Sequence, residues 1–161
     1  MIIVVTGSVA AGKTSISKLL SKKLNFNYLD VNEFVENNKL RRKYVQKFDA
    51  YEIDVSELSR KLANLIKNSK KSFVIDSHLS HYLSRKYVDY CIVCKCDIKI
   101  LKKRLENRGY NKIKIRENLD SEIFDVCLVD ALENKHNVIV VDTDKKNLNA
   151  CVKEILEKII L

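Results

Sequence analysis

Eight consecutive residues, Gly7-Ser8-Val9-Ala10-Ala11-Gly12-Lys13-Thr14, place two glycines ahead of a lysine and a hydroxyl in the pattern G-x-x-x-x-G-K-[ST]. That spacing suits one kind of chemistry. Successive backbone N–H groups of the loop turn inward and form a nest for anions, and the first turn of a following helix adds unpaired N–H groups and the positive end of its dipole. The motif needs a strand before it and a helix after it. The apolar run Ile2 to Val5 predicts the strand, and the spacing of Ile16, Leu19, Leu20 and Leu24 predicts the helix. A loop so placed can hold a triphosphate: Gly7, Ala10, Ala11, Gly12, Lys13, Thr14 and Ser15 are the expected ATP-binding residues, with Lys13 on the β- and γ-phosphates and the Thr14 hydroxyl on Mg2+. A glycine-rich turn that binds nothing is the competing interpretation, and the flanking strand and helix decide against it. Ala10 stands where many such loops have a further glycine, and it is expected to keep a negative φ.

A second magnesium element should be an acid at the end of a neighbouring apolar strand, and Phe73-Val74-Ile75-Asp76 supplies one. The alternative for Asp76 is a carboxylate capping the next helix. His78 follows two residues later and should face the same crevice, at the carboxyl ends of the strands, although a structural histidine fits its spacing equally well.

These residues need elements to hold them. Apolar runs at Ile2 to Val5, Phe73 to Ile75, Cys91 to Cys94 and Val138 to Val141, with a shorter one at Asn27 to Asp30, predict strands. Helical spacing recurs at Leu58, Leu62, Leu65 and Ile66, and again at Val152, Ile155, Leu156, Ile159 and Ile160. Strands without polar alternation, taking turns with helices, predict an α/β fold whose parallel sheet is covered on both faces. The length, 161 residues with no linker-like stretch, predicts one domain over 1–161. Gly109, the remaining glycine, is expected to cap the helix Ile98 to Arg108 in the left-handed region.

Composition narrows the setting. No apolar run is long enough for a spanning helix and the chain starts directly in a strand, so no membrane association and a cytoplasmic location are expected. Five cysteines, an odd number, argue against a disulfide framework, and Cys91, Cys94 and Cys96 read as small core hydrophobes rather than metal ligands. The net charge of +9 is concentrated. Residues 39–47 carry Lys39, Arg41, Arg42, Lys43 and Lys47 with no acid, and residues 99–116 carry eight basic residues against Glu106. Such stretches favour anionic partners without identifying one, and no recognition helix or aromatic RNA-binding box accompanies them.

The chain resembles the atypical adenylate kinases known as isoenzyme six, nucleoside-monophosphate-kinase-like ATPases linked to small ribosomal subunit assembly. Three blocks carry the resemblance: G-S-V-A-A-G-K-T at Gly7, I-D-S-H at Ile75 to His78, and R-L-E-N-R-G-Y-N-K-I-K-I-R-E-N-L-D-S-E-I-F-D-V from Arg104 to Val126. The resemblance implies a P-loop NTPase fold with a five-stranded parallel core in the order 2-3-1-4-5, a small monophosphate-binding segment at about 30–53, and a short lid at about 107–117. It implies Lys13, Asp76, His78 and Arg108 as catalytic residues, with Arg108 on ATP in the closed lid, Lys145 beside the adenine, and Thr14 with Asp76 at the metal. Glu36 stands near a position where the family often has arginine, so the acceptor's phosphate is expected on Arg41 or Arg42. The implied reaction is ATP + AMP to 2 ADP with some ATP hydrolysis. The alternative is an ATPase or chaperone of ribosome biogenesis and rRNA processing, with a small-subunit ribosomal protein or rRNA as partner. A shikimate or cytidylate kinase of similar architecture is a further possibility, against which the Asp-x-His and R-G-Y-N blocks argue.

Overall fold

The computed structural model describes residues 1–159, so Ile160 of the last apolar pattern lies outside the described residues. Five strands form one parallel sheet: β1 (Ile2–Gly7), β2 (Asn27–Asp30), β5 (Phe73–Asp76), β6 (Tyr90–Lys95) and β7 (Val138–Asp142). Their order is β2-β5-β1-β6-β7. Counting these core strands alone along the chain, this is the expected 2-3-1-4-5. The residues between β2 and β5 also form an antiparallel hairpin of β3 (Arg41–Val45) and β4 (Ala50–Ile53), which the apolar pattern did not predict.

Helices pack on both faces: α1 (Lys13–Leu24), α2 (Val31–Asn37), α3 (Val55–Asn68), α4 (Ile98–Asn107), α5 (Lys112–Ile123), α6 (Val126–Glu133) and α7 (Leu148–Lys158). Successive side chains of β1 point to opposite faces, as the pleat requires. Ile3 and Val5 join Ile16, Leu20, Leu101, Leu105 and Ile155 in one core. Ile2 and Val4 join Val31, Val35, Leu58, Leu62 and Ala131 in the other. Each such Val, Leu or Ile side chain, fully buried, stabilises by about 1.5–3 kcal/mol. The absence of polar alternation in β1, β5 and β6 thus reflects burial on both faces. At the edge strand β7 the cover is incomplete, and Val140 remains 39% exposed.

Helix starts show where the fold leaves backbone groups free. Asp30, Asp54, Asp97, Asn111 and Asn147 each accept a hydrogen bond from a backbone N–H at the start of α2, α3, α4, α5 and α7. The starts of α1 and α6 have no such cap, and at α1 the N-cap Gly12 has no side chain to offer, so the first N–H groups of that helix carry no side-chain partner. Gly109, at φ +71 just past α4, takes the left-handed cap expected of it.

The cysteines are free, and Cys91, Cys94, Cys96 and Cys151 are buried. Burial pushes the Cys91 and Cys94 thiols up to about 12, so they are inert core groups. Among the described residues, no group of His, Cys, Asp and Glu forms a metal cluster of three or more, and no helix is long and apolar enough to cross a membrane.

Candidate active site

A cleft of about 600 Å³ opens at the carboxyl ends of the strands, between the loop after β1, the segment after β5 and the end of α4. The chain leaves β1 at Gly7, whose φ is +139, and Ala11 N–H closes back on the Ser8 carbonyl at 3.1 Å. Gly12 follows at φ +91, with the Thr143 side chain 3.2 Å from where a Cβ would sit. Ala10 corrects the expectation of a negative φ, because its φ is +68. A side chain in the left-handed region costs about 1–2 kcal/mol, so the surroundings must hold it there. Arg104 does so by donating from Nη1 to the Ala10 carbonyl at 3.1 Å, and the Thr143 hydroxyl donates to the Ala11 carbonyl at 2.7 Å. Arg104 and Thr143 carried no role in the sequence. Each lies more than ninety positions from the loop carbonyl that it holds.

Lys13 projects from the first turn of α1 into this cleft, where its ammonium donates to the Ser8 carbonyl at 2.8 Å. Among the described residues no carboxylate lies within ion-pair distance of it. Burial lowers its pKa, an effect that Cys94 and Asp76 partly oppose. A half-buried cation held by one neutral carbonyl is incompletely compensated, and a ligand anion would compensate it. Arg108, at the C-cap of α4, is exposed at the same cleft and adds a second positive charge near Lys13.

Opposite these cations, the Thr14 hydroxyl donates to Asp76 Oδ2 at 2.7 Å, and the Tyr28 hydroxyl donates to the same oxygen at 3.0 Å. Burial and the neighbouring Asp76 raise the Tyr28 pKa, so this phenol stays a donor. Asp76 is buried and caps no helix; in the turn after it, Ser77 Oγ accepts from Leu79 N–H at 3.0 Å. A hydroxyl and a carboxylate side by side are the hard oxygen donors that Mg2+ prefers, with water and phosphate oxygens completing its shell.

His78 lines the cleft beyond Asp76. Its ring is accessible, but the accessible surface opens into the crowded cleft. Burial there, then the Lys13 ammonium and His81, lower its pKa to about 4. The neutral imidazole therefore prevails at pH 7. Since the unfolded chain keeps the ordinary 6.5, it binds more protons than the folded chain between pH 6.5 and 4. The stability associated with His78 is present above pH 6.5 and lost as pH falls towards 4. His81 is lowered too, and acts in the same direction. Thermal melting of the wild type should fall more steeply across this window than that of His78→Asn; parallel curves would contradict the assignment.

Three expected site residues lie elsewhere. Arg42 forms ion pairs with Asp54 at 3.0 Å and Glu57 at 3.1 Å. Arg41 lies 3.5 Å from Glu36 and over the Tyr51 ring. Lys145 pairs with Asp142 at 3.0 Å in the turn after β7. None of the three lines the cleft, because local acids hold each on the surface. Of the other expected residues, Ala10, Gly12, Lys13, Thr14, Ser15, Asp76, His78 and Arg108 line it, while Gly7 and Ala11 form the backbone beneath.

The parallel sheet, the nest after its central strand and the Thr14–Asp76 pair define a P-loop nucleotide-binding protein of the kinase type. Solved structures with the same fold include deoxyadenosine kinase from M. mycoides with bound dATP, at TM-score 0.64 and 18% identity over 98% of each chain. Another is shikimate kinase from Aquifex aeolicus, at TM-score 0.58 and 17% identity, covering 98% of this chain and 95% of that one. A family model described as an AAA domain matches residues 3–125. A Methanocaldococcus jannaschii protein named "Putative adenylate kinase" is 39% identical over 99% of this chain and 86% of its own length. One of the same name from Thermococcus kodakarensis is 41% identical over 99% and 85%. The chain belongs to this family of adenylate-kinase-like P-loop proteins.

Proposed function

We propose that the protein transfers the γ-phosphoryl group of ATP to a nucleoside monophosphate, with AMP as the preferred acceptor. The observation that supports it most is Lys13, a half-buried ammonium with no carboxylate within ion-pair distance among the described residues, at the start of a helix without a side-chain cap. In this scheme the loop amides and Lys13 gather the phosphate oxygens, Lys13 leaving the Ser8 carbonyl to do so. Arg108 closes over them from the lid, and the neutral His78 orders the segment after β5. Lys145 approaches the adenine once released from Asp142. Thr14 and Asp76 would hold Mg2+, which when bound supplies charge neutralisation on the β- and γ-phosphate oxygens. An oxygen of the acceptor's phosphate attacks the γ-phosphorus as its bond to the β–γ bridging oxygen breaks, and ADP departs. Positioning and charge neutralisation do most of this work, and no covalent intermediate on the protein is needed.

A second proposal, in which water is the acceptor, draws support from one observation. The cations expected to hold a monophosphate, Arg41 and Arg42, are engaged by Glu36, Asp54 and Glu57. For a ribosomal protein or rRNA as the partner of such an ATPase, the support remains the sequence resemblance. A coupled assay of ATP with AMP, CMP, UMP, dAMP or no acceptor separates the two. AMP should accelerate ATP consumption and yield two ADP per ATP. Phosphate release at the same rate with no acceptor would replace the kinase by the hydrolase.

A further inference from the structure

Glu122 has an unusual position for a carboxylate. It lies in the last turn of α5, near the end of the longest block that the sequence singled out, and it is only 6% exposed. Burying a carboxylate is costly unless partners replace its water. Here three do. The Ser8 hydroxyl donates to Oε2 at 2.6 Å, the Cys96 N–H donates to Oε1 at 3.0 Å, and the Lys95 ammonium lies 3.0 Å from Oε1. Lys95 is also paired with Asp125, so its charge has a second partner.

Ser8 is the second residue of the phosphate-binding loop and is itself buried. Its carbonyl accepts both the Ala11 N–H, which closes the loop turn, and the Lys13 ammonium. A single residue thus joins the loop's shape and its lysine to a side chain in the last turn of α5. The other end of α5, about 15 Å away at 1.5 Å per residue, touches the hairpin. There Lys114 Nζ donates to the Asp49 carbonyl at 2.8 Å, and Asn111 Nδ2 donates to the Lys47 carbonyl at 3.4 Å. Helix α5 therefore runs from the β3–β4 hairpin to the loop after β1.

We propose that Glu122 is a positioning residue: through Ser8 it sets the conformation of the phosphate-binding loop and the resting place of Lys13, and so makes the position of α5 felt at the ATP site. This rests on the proposed ATP site. Glu122 touches no substrate, and its effect travels through the Ser8 hydroxyl.

The test is an ATP titration by calorimetry in MgCl2 for wild type, Ser8→Ala, Glu122→Gln and the double variant, with melting temperatures alongside. Each single variant should weaken ATP binding about tenfold, and the double variant should be no weaker than the weaker single, since both break one link. A purely structural role would lower the melting temperatures and leave ATP affinity unchanged. Single variants that bind as wild type does, or a double variant whose loss is the product of the two, would overturn the proposal while the ATP site stands. Wild type that binds no ATP would remove the site and this proposal together. Should Glu122→Gln fail to fold, Ser8→Ala carries the test alone, because it leaves the contacts of Glu122 with Lys95 and Cys96 in place.

Discussion

Replacing Lys13 by methionine is expected to lower ATP turnover by about a hundredfold or more, the loss seen when a preorganised charge or donor is removed from a developing anion. The same change should leave stability unchanged or raise it. The Lys13 ammonium is half-buried against the Ser8 carbonyl with no carboxylate partner among the described residues, and methionine keeps most of the apolar stem without the charge. Opposite signs in activity and stability would mark a residue kept for ligand binding rather than for folding. Turnover and thermal melting measured on one preparation check both. A variant with wild-type ATP turnover would refute the assignment.

Gly7→Ala should have the largest effect on stability. An added Cβ would stand 2.4 Å from the Cys94 carbonyl oxygen, in backbone at φ +139. The obstacle is the backbone of β6, hydrogen-bonded in the middle of the sheet, and it cannot swing aside as a side chain could. Strain at such a φ and overpacking each cost about 1–3 kcal/mol, so roughly 3 kcal/mol in total is expected. For a chain of this size that lowers the melting temperature by roughly 10 °C. Gly109→Ala is the control: its added Cβ meets nothing within 4 Å, which leaves only the φ of +71 to resist it. Equal losses in the two variants would show that conformation rather than the contact with β6 decides.

What the sequence revealed was mainly local. The phosphate-binding loop was legible because its strand, glycines, lysine and helix are contiguous, and β2 was legible to the residue. The hairpin was not. Residues 41–53 are almost wholly surface, so no buried face imprints an apolar alternation, and the turn uses Asp49 at φ +45 instead of a glycine. The basic stretch over residues 39–47 was visible as charge, yet the acids that engage Arg41 and Arg42 come from α2 and from the start of α3. Pairing of that kind depends on how the chain folds back, which charge counts do not convey.

The same reason hid the supports of the site. Arg104, Thr143 and Glu122 reach the loop from 94, 132 and 114 positions away, each through one hydrogen bond that only the assembled sheet makes possible. Arg104 and Glu122 sat inside the Arg104 to Val126 block, so the signal was present without a role attached. Ala10 was misjudged because alanine in the left-handed region is disfavoured locally and becomes tenable only with those distant partners.

The central claim is that the cleft gathers the phosphates of ATP, and calorimetric titration of the wild-type protein with ATP and MgCl2 tests it most directly. One saturable site per chain is predicted, with the heat abolished in Lys13→Met. Absence of heat from the wild type, or a Lys13→Met titration that matches it, would contradict the claim.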